Sequence, residues 1–347
     1  MQFELLQRLL WQQFGASLDM VSNAIRMCPD TVWDNDRKFW YNAFHCLWFT
    51  DYYLTRDAAS FHPPAPFDRS EFEDRMPDRT YTRDELLTYT AYCRQKCRNT
   101  TEGLTPESAA GVWRNESRTR AFPFFELQLY NMRHVQHHAA QLNILLRQSI
   151  DDAPRWVSRA GRYDESPKTR SRVVNPSPPT AEKMDFPALK GYLWQQFGAS
   201  IDMLENAVRM CPARLWETPA QFWYKVFHTL FFLDIYLAFP PDGYLPPDPF
   251  DMSEAEDRMP HRTYTKPEIL GYLDYCREKC IRVISGLTPE SAAAIWNNPT
   301  QTRPFPFVEL MMYNMRHVQH HAAQLNKLLR QGIDDAPGWV SRAKAEV

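Results

Sequence analysis

The 347-residue sequence has few glycines, no paired-cysteine motif and no excess of either charge. Its 11 glycines argue against a glycine-lined phosphate cradle, and neither a Ser-His-Asp order nor a dinucleotide fingerprint is present. The seven cysteines form no Cys-x-x-Cys pair, so neither a zinc ribbon nor a thioredoxin-type motif is indicated. A formal net charge of −2 and a pI near 6.6 give no electrostatic footprint for nucleic acid or an anionic membrane.

Long apolar runs are also absent, because no stretch approaches the roughly 18 residues of a membrane span. The first eight residues, Met-Gln-Phe-Glu-Leu-Leu-Gln-Arg, lack the basic and apolar regions of a secretory signal. We therefore expect a cytoplasmic protein with reduced cysteines and with neither nucleic acid nor a membrane as partner.

The clearest positive feature is an internal duplication. The segment Asn-Met-Arg-His-Val-Gln-His-His-Ala-Ala-Gln-Leu-Asn occurs at 131–143 and again at 314–326, an offset of 183 positions that holds without a gap along both copies. A polar, proline-rich stretch at 161–183 separates the copies and is typical of an extended linker. The sequence predicts two domains, residues 1–160 and 184–347, and its hydrophobic content of 44% is ample for two cores.

Each copy is predicted to be all-α. Thr82 with Glu85 three residues later matches a capping box, Gly103 ends that helix, and a short helix is expected to start at Thr105-Pro. No convincing hairpin signal is present. The pattern predicts a four-helix bundle with a long connection between the second and third helices. In the first copy the expected helices span about 3–27, 36–55, 83–101 and 123–148.

Three histidines recur at matching positions in both copies. On the fourth predicted helix, His134 and His138 stand one turn apart, so both imidazoles share a face and could bind one metal ion. His45 lies on an inward stripe of the second helix. A lone inward histidine is more often a hydrogen-bonded core residue, but three kept together in both copies favour a metal site. The predicted ligands are His45, His134 and His138 in the first copy and His228, His317 and His321 in the second.

Three neutral imidazoles suit Zn, Ni, Fe or Cu better than Mg or Ca. Three protein ligands also leave one coordination position open, as in catalytic sites, whereas structural zinc is usually closed by four. A metal held in this way can acidify its bound water or polarise a bound thiol or carbonyl. The cofactor expected is a divalent transition metal, Zn or Ni first, with Fe or Mn as alternatives.

The histidine of helix two, followed 89 residues later by His-x-x-x-His and then Gln141, resembles the DinB-like, YfiT-like superfamily of metalloenzymes. The segment Leu-Trp-Gln-Gln-Phe-Gly-Ala-Ser-Leu-Asp at 10–19 fits the same family. The resemblance covers nearly the whole chain twice, except the linker. It implies a four-helix bundle in each copy, with nickel or zinc on the histidine triad.

The resemblance is less specific about the reaction than about the fold and the metal. Characterised members include metal-dependent hydrolases, mycothiol-dependent isomerases and S-transferases that use bacillithiol or glutathione. A small-molecule substrate and a low-molecular-weight thiol are therefore expected. Because single-domain members tend to dimerise, the chain resembles a dimer fused into one polypeptide, and we expect it to be monomeric.

Other residues near the predicted ligands allow two interpretations each. Tyr130 and Tyr313, one turn before the histidine pair, could hydrogen-bond a bound water or substrate as catalytic groups, although core packing is favoured. Gln141 and Gln324 could orient a ligand imidazole. Arg133 and Arg316 could bind a substrate carboxylate, although a solvated helix face is favoured, and His137 is expected at the rim or surface. A soft metal site or reactive thiols are one interpretation of Cys93, Cys97, Cys276 and Cys280, but small buried residues of the third helices are favoured.

Three functions remain open from the sequence. The first is a metalloenzyme with two equivalent sites that activates a thiol or water for transfer or hydrolysis on a small electrophile. The second is a non-catalytic metal- or ligand-binding scaffold, which a plugged fourth coordination position would favour. The third is an interaction module whose histidines are only hydrogen-bonded core residues.

Overall fold

The computed structural model describes residues 1–161, 183–218, 221–298, 302 and 304–344. Nearly all of the predicted linker, 161–183, lies outside these residues. The described residues are mostly helical, which confirms the all-α prediction. The chain divides into two compact units, Gln2–Asp185 and Phe186–Val347, which we call the N-terminal unit and the C-terminal unit.

Four long α-helices and two short ones are described in each unit. The N-terminal unit contains α1 (Phe3–Met27), α2 (Asp30–Trp33), α3 (Phe39–Leu54), α4 (Arg83–Glu102), α5 (Pro106–Ala110), β1 (Val112–Arg114), β2 (Ala121–Pro123) and α6 (Phe124–Ile150). The C-terminal unit contains α7 (Phe186–Met210), α8 (Ala213–Trp216), α9 (Phe222–Tyr236), α10 (Lys266–Ser285), α11 (Pro289–Ala293), β3 (Ile295–Trp296), β4 (Phe305–Pro306) and α12 (Phe307–Ile333). In the N-terminal unit α1 and α3 each pack against both α4 and α6, and in the C-terminal unit α7 and α9 each pack against both α10 and α12.

The helix ends follow local chemistry. Thr82 accepts a hydrogen bond from the Glu85 backbone N–H while the Glu85 carboxylate accepts one from the Thr82 N–H, so the predicted capping box is confirmed. Gly103 ends α4, and Thr105 caps α5 ahead of its proline. These caps satisfy backbone donors that the first turn of a helix leaves without partners.

The expectation that no hairpin is present was wrong. β1 pairs antiparallel with β2, and β3 pairs antiparallel with β4. Each strand has only two or three residues, which is shorter than the four to eight over which apolar alternation can be recognised. A side chain stabilises the turn between β1 and β2, because Asn115 Oδ1 accepts a hydrogen bond from the Arg120 N–H at 2.7 Å. This turn therefore forms without the glycine that usually marks a hairpin in a sequence.

The repeated Trp-Gln-Gln-Phe-Gly motif of the first helix holds the end of its own unit. The Gln12 carbonyl accepts a hydrogen bond from the Ala160 N–H, and the Gln13 amide donates to the Ser158 carbonyl. A Cβ at Gly15 would lie 2.8 Å from that of Ala160, so only glycine permits this approach. The C-terminal unit repeats these contacts through Gln195, Gln196, Gly198, Ser341 and Ala343.

The fourth long helix of each unit is buried on all sides over residues 124–137 and 307–320. Arg133 and Arg316 are therefore fully buried, and His137 is only 8% exposed, which corrects the predicted solvated and rim positions. The helical period shows which residues share a face but not whether the opposite face is also covered. None of the described helices is both long and apolar enough to cross a membrane.

A buried acid–lysine pair joins the second and third long helices of each unit. In the N-terminal unit Lys96 Nζ lies 2.5 Å from Asp51 Oδ1 and also donates to Thr55 Oγ1, while the Tyr89 hydroxyl donates to Asp51 Oδ2. The Asp51 side chain is completely buried, so these donors replace the water that it loses on folding. The C-terminal counterparts are Asp234, Lys279 and Tyr272, joined there by Tyr244.

All seven cysteines are buried and carry free thiols. Burial raises the pKa of Cys28 to about 12 and of Cys211 to about 11, and it raises the pKa of the other five still further. The prediction that the helix-three cysteines are small buried residues is confirmed. As protonated thiols they are poor nucleophiles and poor metal ligands.

Candidate metal centre

The packing of α3 against α6 brings the three N-terminal histidines together. His45 projects from α3, while His134 and His138 project from successive turns of α6. In the C-terminal unit the same three positions are supplied by α9 and α12. We call the two groups the N-terminal triad (His45, His134, His138) and the C-terminal triad (His228, His317, His321).

In each triad one ring nitrogen from each histidine lies within 4.8 Å of those of the other two. The three ring centroids of the N-terminal triad are 4.6 to 5.6 Å apart, and those of the C-terminal triad are 4.6 to 5.3 Å apart. His228 Nε2 and His317 Nε2 are 3.4 Å apart. The imidazoles therefore converge on one small volume instead of pointing to separate core partners.

A buried glutamate contacts the far side of the first histidine in each triad. Glu71 Oε2 lies 2.7 Å from His45 Nδ1, and Glu254 Oε2 lies 2.7 Å from His228 Nδ1. Both carboxylates are at most 5% exposed. If Nδ1 donates its proton to the carboxylate, Nε2 is left as a lone-pair donor towards the triad, as in carboxylate–histidine–metal arrangements.

Sequence reasoning did not identify Glu71 or Glu254. The available signal was the repeated Ser-Glu-x-Glu-Asp-Arg-Met-Pro at 70–77 and 253–260, which lies in a loop whose path the sequence alone does not give. A tyrosine also borders the first of these carboxylates. Burial and the neighbouring Glu71 carboxylate raise the pKa of Tyr41 to about 12, so its hydroxyl stays protonated and can donate to that group.

The last histidine of each triad is oriented differently in the two units. His138 Nδ1 lies 2.6 Å from Asn42 Oδ1. Lys225 stands at the position of Asn42 in the C-terminal unit, and there His321 Nδ1 lies 3.0 Å from Gln324 Oε1. Gln324 therefore contacts a triad histidine at the position where the sequence suggested an orienting group.

The corresponding glutamine of the N-terminal unit, Gln141, makes its closest polar contact with His137, at 3.0 Å between Nε2 atoms. Its side chain is also within hydrogen-bonding range of His138. His137, which the sequence placed at the rim, is thus part of the polar surroundings of the triad.

The paired histidines of α6 and α12 are electrostatically suited to remain neutral. Burial, followed by the neighbouring histidines, lowers the pKa of His134 and of His138 well below the usual range. The same causes lower the pKa of His317 and His321. A neutral imidazole is the form that binds a metal ion.

Each triad can also be reached from solvent. The side chains of His45 and His228 are 31% and 30% exposed, while His134 and His317 are only 8% exposed as residues. Each triad is therefore open to solvent on one side and buried on the other.

The structure places the two predicted catalytic tyrosines behind other aromatic rings. Tyr130 packs against Tyr53, with centroids 5.3 Å apart, and Tyr53 in turn packs against His134 at 6.1 Å. Tyr313 packs against Tyr236 in the same way, at 5.6 Å. Both tyrosines are at most 5% exposed and belong to the aromatic cluster beside the triad.

The donor set fits a bound transition metal. Each triad offers three imidazoles, and burial keeps two of them neutral while a carboxylate faces the third. In the part of the chain that the structure describes, these triads are the groups of three or more potential ligands whose donor atoms converge. A hard cation such as Mg²⁺ or Ca²⁺ would find no oxygen ligand among them.

A scan against protein-family models finds no match for this chain, and searches of the curated proteins and of the solved structures find none either.

Proposed function

We propose that each unit is a four-helix bundle of the DinB-like kind and that each triad holds one divalent transition metal, Zn or Ni first. The chain would be a metalloenzyme that activates a thiol or a water molecule against a small electrophilic substrate. The observation that carries this proposal is the convergence of three imidazoles from two helices in both units. The pairing of the two units as a fused dimer, in a monomeric chain, is a further part of the proposal that comes from the resemblance.

The role of the protein residues would be to hold and shield the reacting groups. A bound transition metal would supply Lewis acidity, which lowers the pKa of a coordinated thiol or water. Glu71 and Glu254 would fix the first imidazole of each triad. Asn42 and Gln324 would fix the last one.

In a transfer reaction the thiol sulfur forms a bond to the electrophilic carbon, and the leaving group departs with its electron pair. The thiol proton passes to solvent, which reaches the triad beside His45 or His228. In hydrolysis the oxygen of a water molecule takes the place of the sulfur. The protein supplies positioning and electrostatics in both cases.

Metal content is the first test. Untagged protein purified without chelator or metal resin, analysed by elemental mass spectrometry, is expected to contain about two equivalents of a transition metal per chain. Protein that arrives metal-free and then fails to bind added Zn, Ni or Mn would overturn the proposal. The triads would then be hydrogen-bonded core histidines.

Activity is the second test. The metal-loaded protein would be assayed with 1-chloro-2,4-dinitrobenzene and a small thiol for transfer, and with 4-nitrophenyl acetate for hydrolysis. The expected result is turnover that the double variant His138→Ala/His321→Ala abolishes. Met210→Phe, which changes an exposed side chain at the end of α7, is the control and should retain it. Two bound metals without turnover of any substrate class would favour the non-catalytic scaffold.

A further inference from the structure

The C-terminal unit contains a cavity of about 380 Å³ beside its triad. Its apolar wall comes from α9, from α12 and from the β3–β4 hairpin, which adds Trp296 and Phe305. The turn that carries Glu254 adds one small side chain, Ala255. The residues that matter for what it could bind are Phe231, Phe232, Ile235, Tyr236, Ala255 and Tyr313.

Two of these rings form a wall that the cavity shares with the triad. The Phe232 centroid lies 4.9 Å from that of His228 and 5.7 Å from that of His317. Tyr236 also packs against His317, at 6.4 Å. A molecule in the cavity is therefore separated from the imidazoles by a single layer of side chains.

In the N-terminal unit the corresponding space is filled by aromatic rings. Trp48, Tyr52 and Phe72 pack against one another there, with Phe72 4.5 Å from Trp48 and 5.0 Å from Tyr52 between centroids. Phe61 closes the same cluster at 4.9 Å from Trp48.

The duplication shows how the cavity is opened. At the offset of 183 positions Trp48 becomes Phe231, Tyr52 becomes Ile235 and Phe72 becomes Ala255. Each change removes part or all of a ring from the same place. Three coordinated reductions in side-chain volume leave room for a foreign group, because close-packed interiors rarely keep such space.

We propose that this cavity binds the aromatic or compact apolar group of a small-molecule ligand, one layer of side chains away from the C-terminal triad. This binding does not rest on the function proposed above. The N-terminal unit, whose own rings fill the equivalent space, would not bind this ligand.

The lining selects the chemistry of the occupant. None of the described lining residues carries a charge. The few polar groups are the hydroxyls of Tyr236, Tyr313 and Thr302, the amide of Asn298 and the indole N–H of Trp296, which donates to the Ala238 carbonyl. Ligand sites are typically apolar with a few such groups and span about 300 to 1,000 Å³. A volume at the lower end of that range suits one or two fused rings and does not suit a peptide.

The same turn serves the metal ligand and the cavity. Glu254, which contacts His228, is adjacent in sequence to Ala255, whose size determines whether the cavity exists. A variant at Ala255 could therefore disturb the triad as well. Ile235 lies on α9, outside this turn, and provides an independent way to fill the cavity.

The test uses indole, which fits a small apolar cavity and does not depend on a metal. Indole would be titrated into the full-length chain, both metal-free and metal-loaded, and followed by calorimetry and ligand-observed NMR. We expect one site per chain. Ala255→Phe and Ile235→Tyr, which restore the N-terminal side chains, should each weaken binding by about tenfold or more, while Met210→Phe should not. Wild-type protein that binds no indole, or binding that survives both substitutions, would overturn the proposal.

A second comparison separates this proposal from the metal site. Loading the triads with metal should leave the affinity for indole unchanged, because a layer of side chains lies between the cavity and the imidazoles. Indole binding in a protein that never takes up metal would support the cavity and refute the metalloenzyme, and metal uptake without indole binding would do the reverse.

Discussion

The two units have the same imidazoles and different surroundings. Every residue that contacts the first imidazole by a short hydrogen bond is identical, since Glu71 and Glu254 hold it at the same 2.7 Å. One layer further out, the aromatic filling of one unit is a cavity in the other. The comparison indicates that the glutamate contact to the first imidazole tolerates less change than the apolar wall one layer further out.

A second difference between the units is compensated within one hydrogen-bond network. Thr55, which accepts a hydrogen bond from Lys96, is replaced by Ala238, which cannot. Phe61 is replaced by Tyr244, whose hydroxyl donates to Asp234 at 2.8 Å. The buried acid–lysine pair thus loses one polar neighbour and gains another, because an ionised carboxylate in the core requires several donors.

The largest effect is expected when one triad is removed at a time. His138→Ala and His321→Ala should each reduce the metal content from about two equivalents to about one, because each triad draws its ligands from a single unit. Elemental analysis of both variants and of the double variant is the measurement. Loss of both metals from one single variant would show that the sites depend on each other and would break the comparison.

Removing the glutamate of one unit should weaken the metal site of that unit alone. Glu71→Ala is expected to lower metal affinity by about 10- to 100-fold, since the imidazole loses the partner that orients it. Competition with a chromophoric chelator would report the two sites separately. Glu73→Ala, which changes an exposed carboxylate two residues further along the same loop, is the matched control. Equal effects of the two variants would rule out an orienting role.

Exchange of the residue at the last imidazole should reverse part of the difference between the units. Asn42→Lys removes the acceptor for His138 and adds a positive charge, so metal affinity at the N-terminal triad should fall by about tenfold. Lys225→Asn should raise affinity at the C-terminal triad by less, because Gln324 already accepts from His321. The same chelator competition measures both variants, and no change in either would leave Asn42 without an orienting role.

The smallest effect is expected in the buried ion-pair network. Tyr244→Phe should lower the free energy of unfolding by about 1 kcal/mol, the usual contribution of one hydrogen bond. Urea denaturation followed by fluorescence is the measurement. Phe61→Tyr is the reciprocal variant. It should leave the free energy of unfolding unchanged, because Thr55 already accepts a hydrogen bond from Lys96 in this unit. A loss of several kcal/mol in Tyr244→Phe would mean that the second contact of this hydroxyl, with the Tyr272 hydroxyl at 3.1 Å, also contributes.

Local chemistry predicted the helices well. The capping box at Thr82 and the glycine that ends α4 are encoded within a few residues, so their positions could be read directly. The pairing of His134 and His138 on one face of α6 was likewise predictable, because these two residues are only four positions apart. Their convergence with His45 could be anticipated because two copies retained all three.

Contacts made by loops could not be predicted in this way. Glu71 is 26 positions from His45, and most of the chain after α3 ends at Leu54 is irregular. Its path depends on the packing of aromatic rings and not on a periodic pattern. Burial of Arg133 was missed for a related reason, because a polar stripe on a helix does not reveal that its other side is also covered. The cavity could be recognised only by comparing the structures of the two units, since the small size of Ala255 matters only because Phe72 fills the equivalent place in the other unit.

The seven buried thiols described above bear on how the protein would coexist with a small-thiol substrate. Thiol–disulfide exchange needs a thiolate that can reach the sulfur of a disulfide. Here every cysteine is shielded, and burial raises the pKa of each thiol above its usual value. Oxidised forms of a small thiol would therefore find no cysteine with which to form a mixed disulfide. If the chain carries out the thiol chemistry proposed above, its own cysteines would therefore not be consumed by the oxidised form of that thiol.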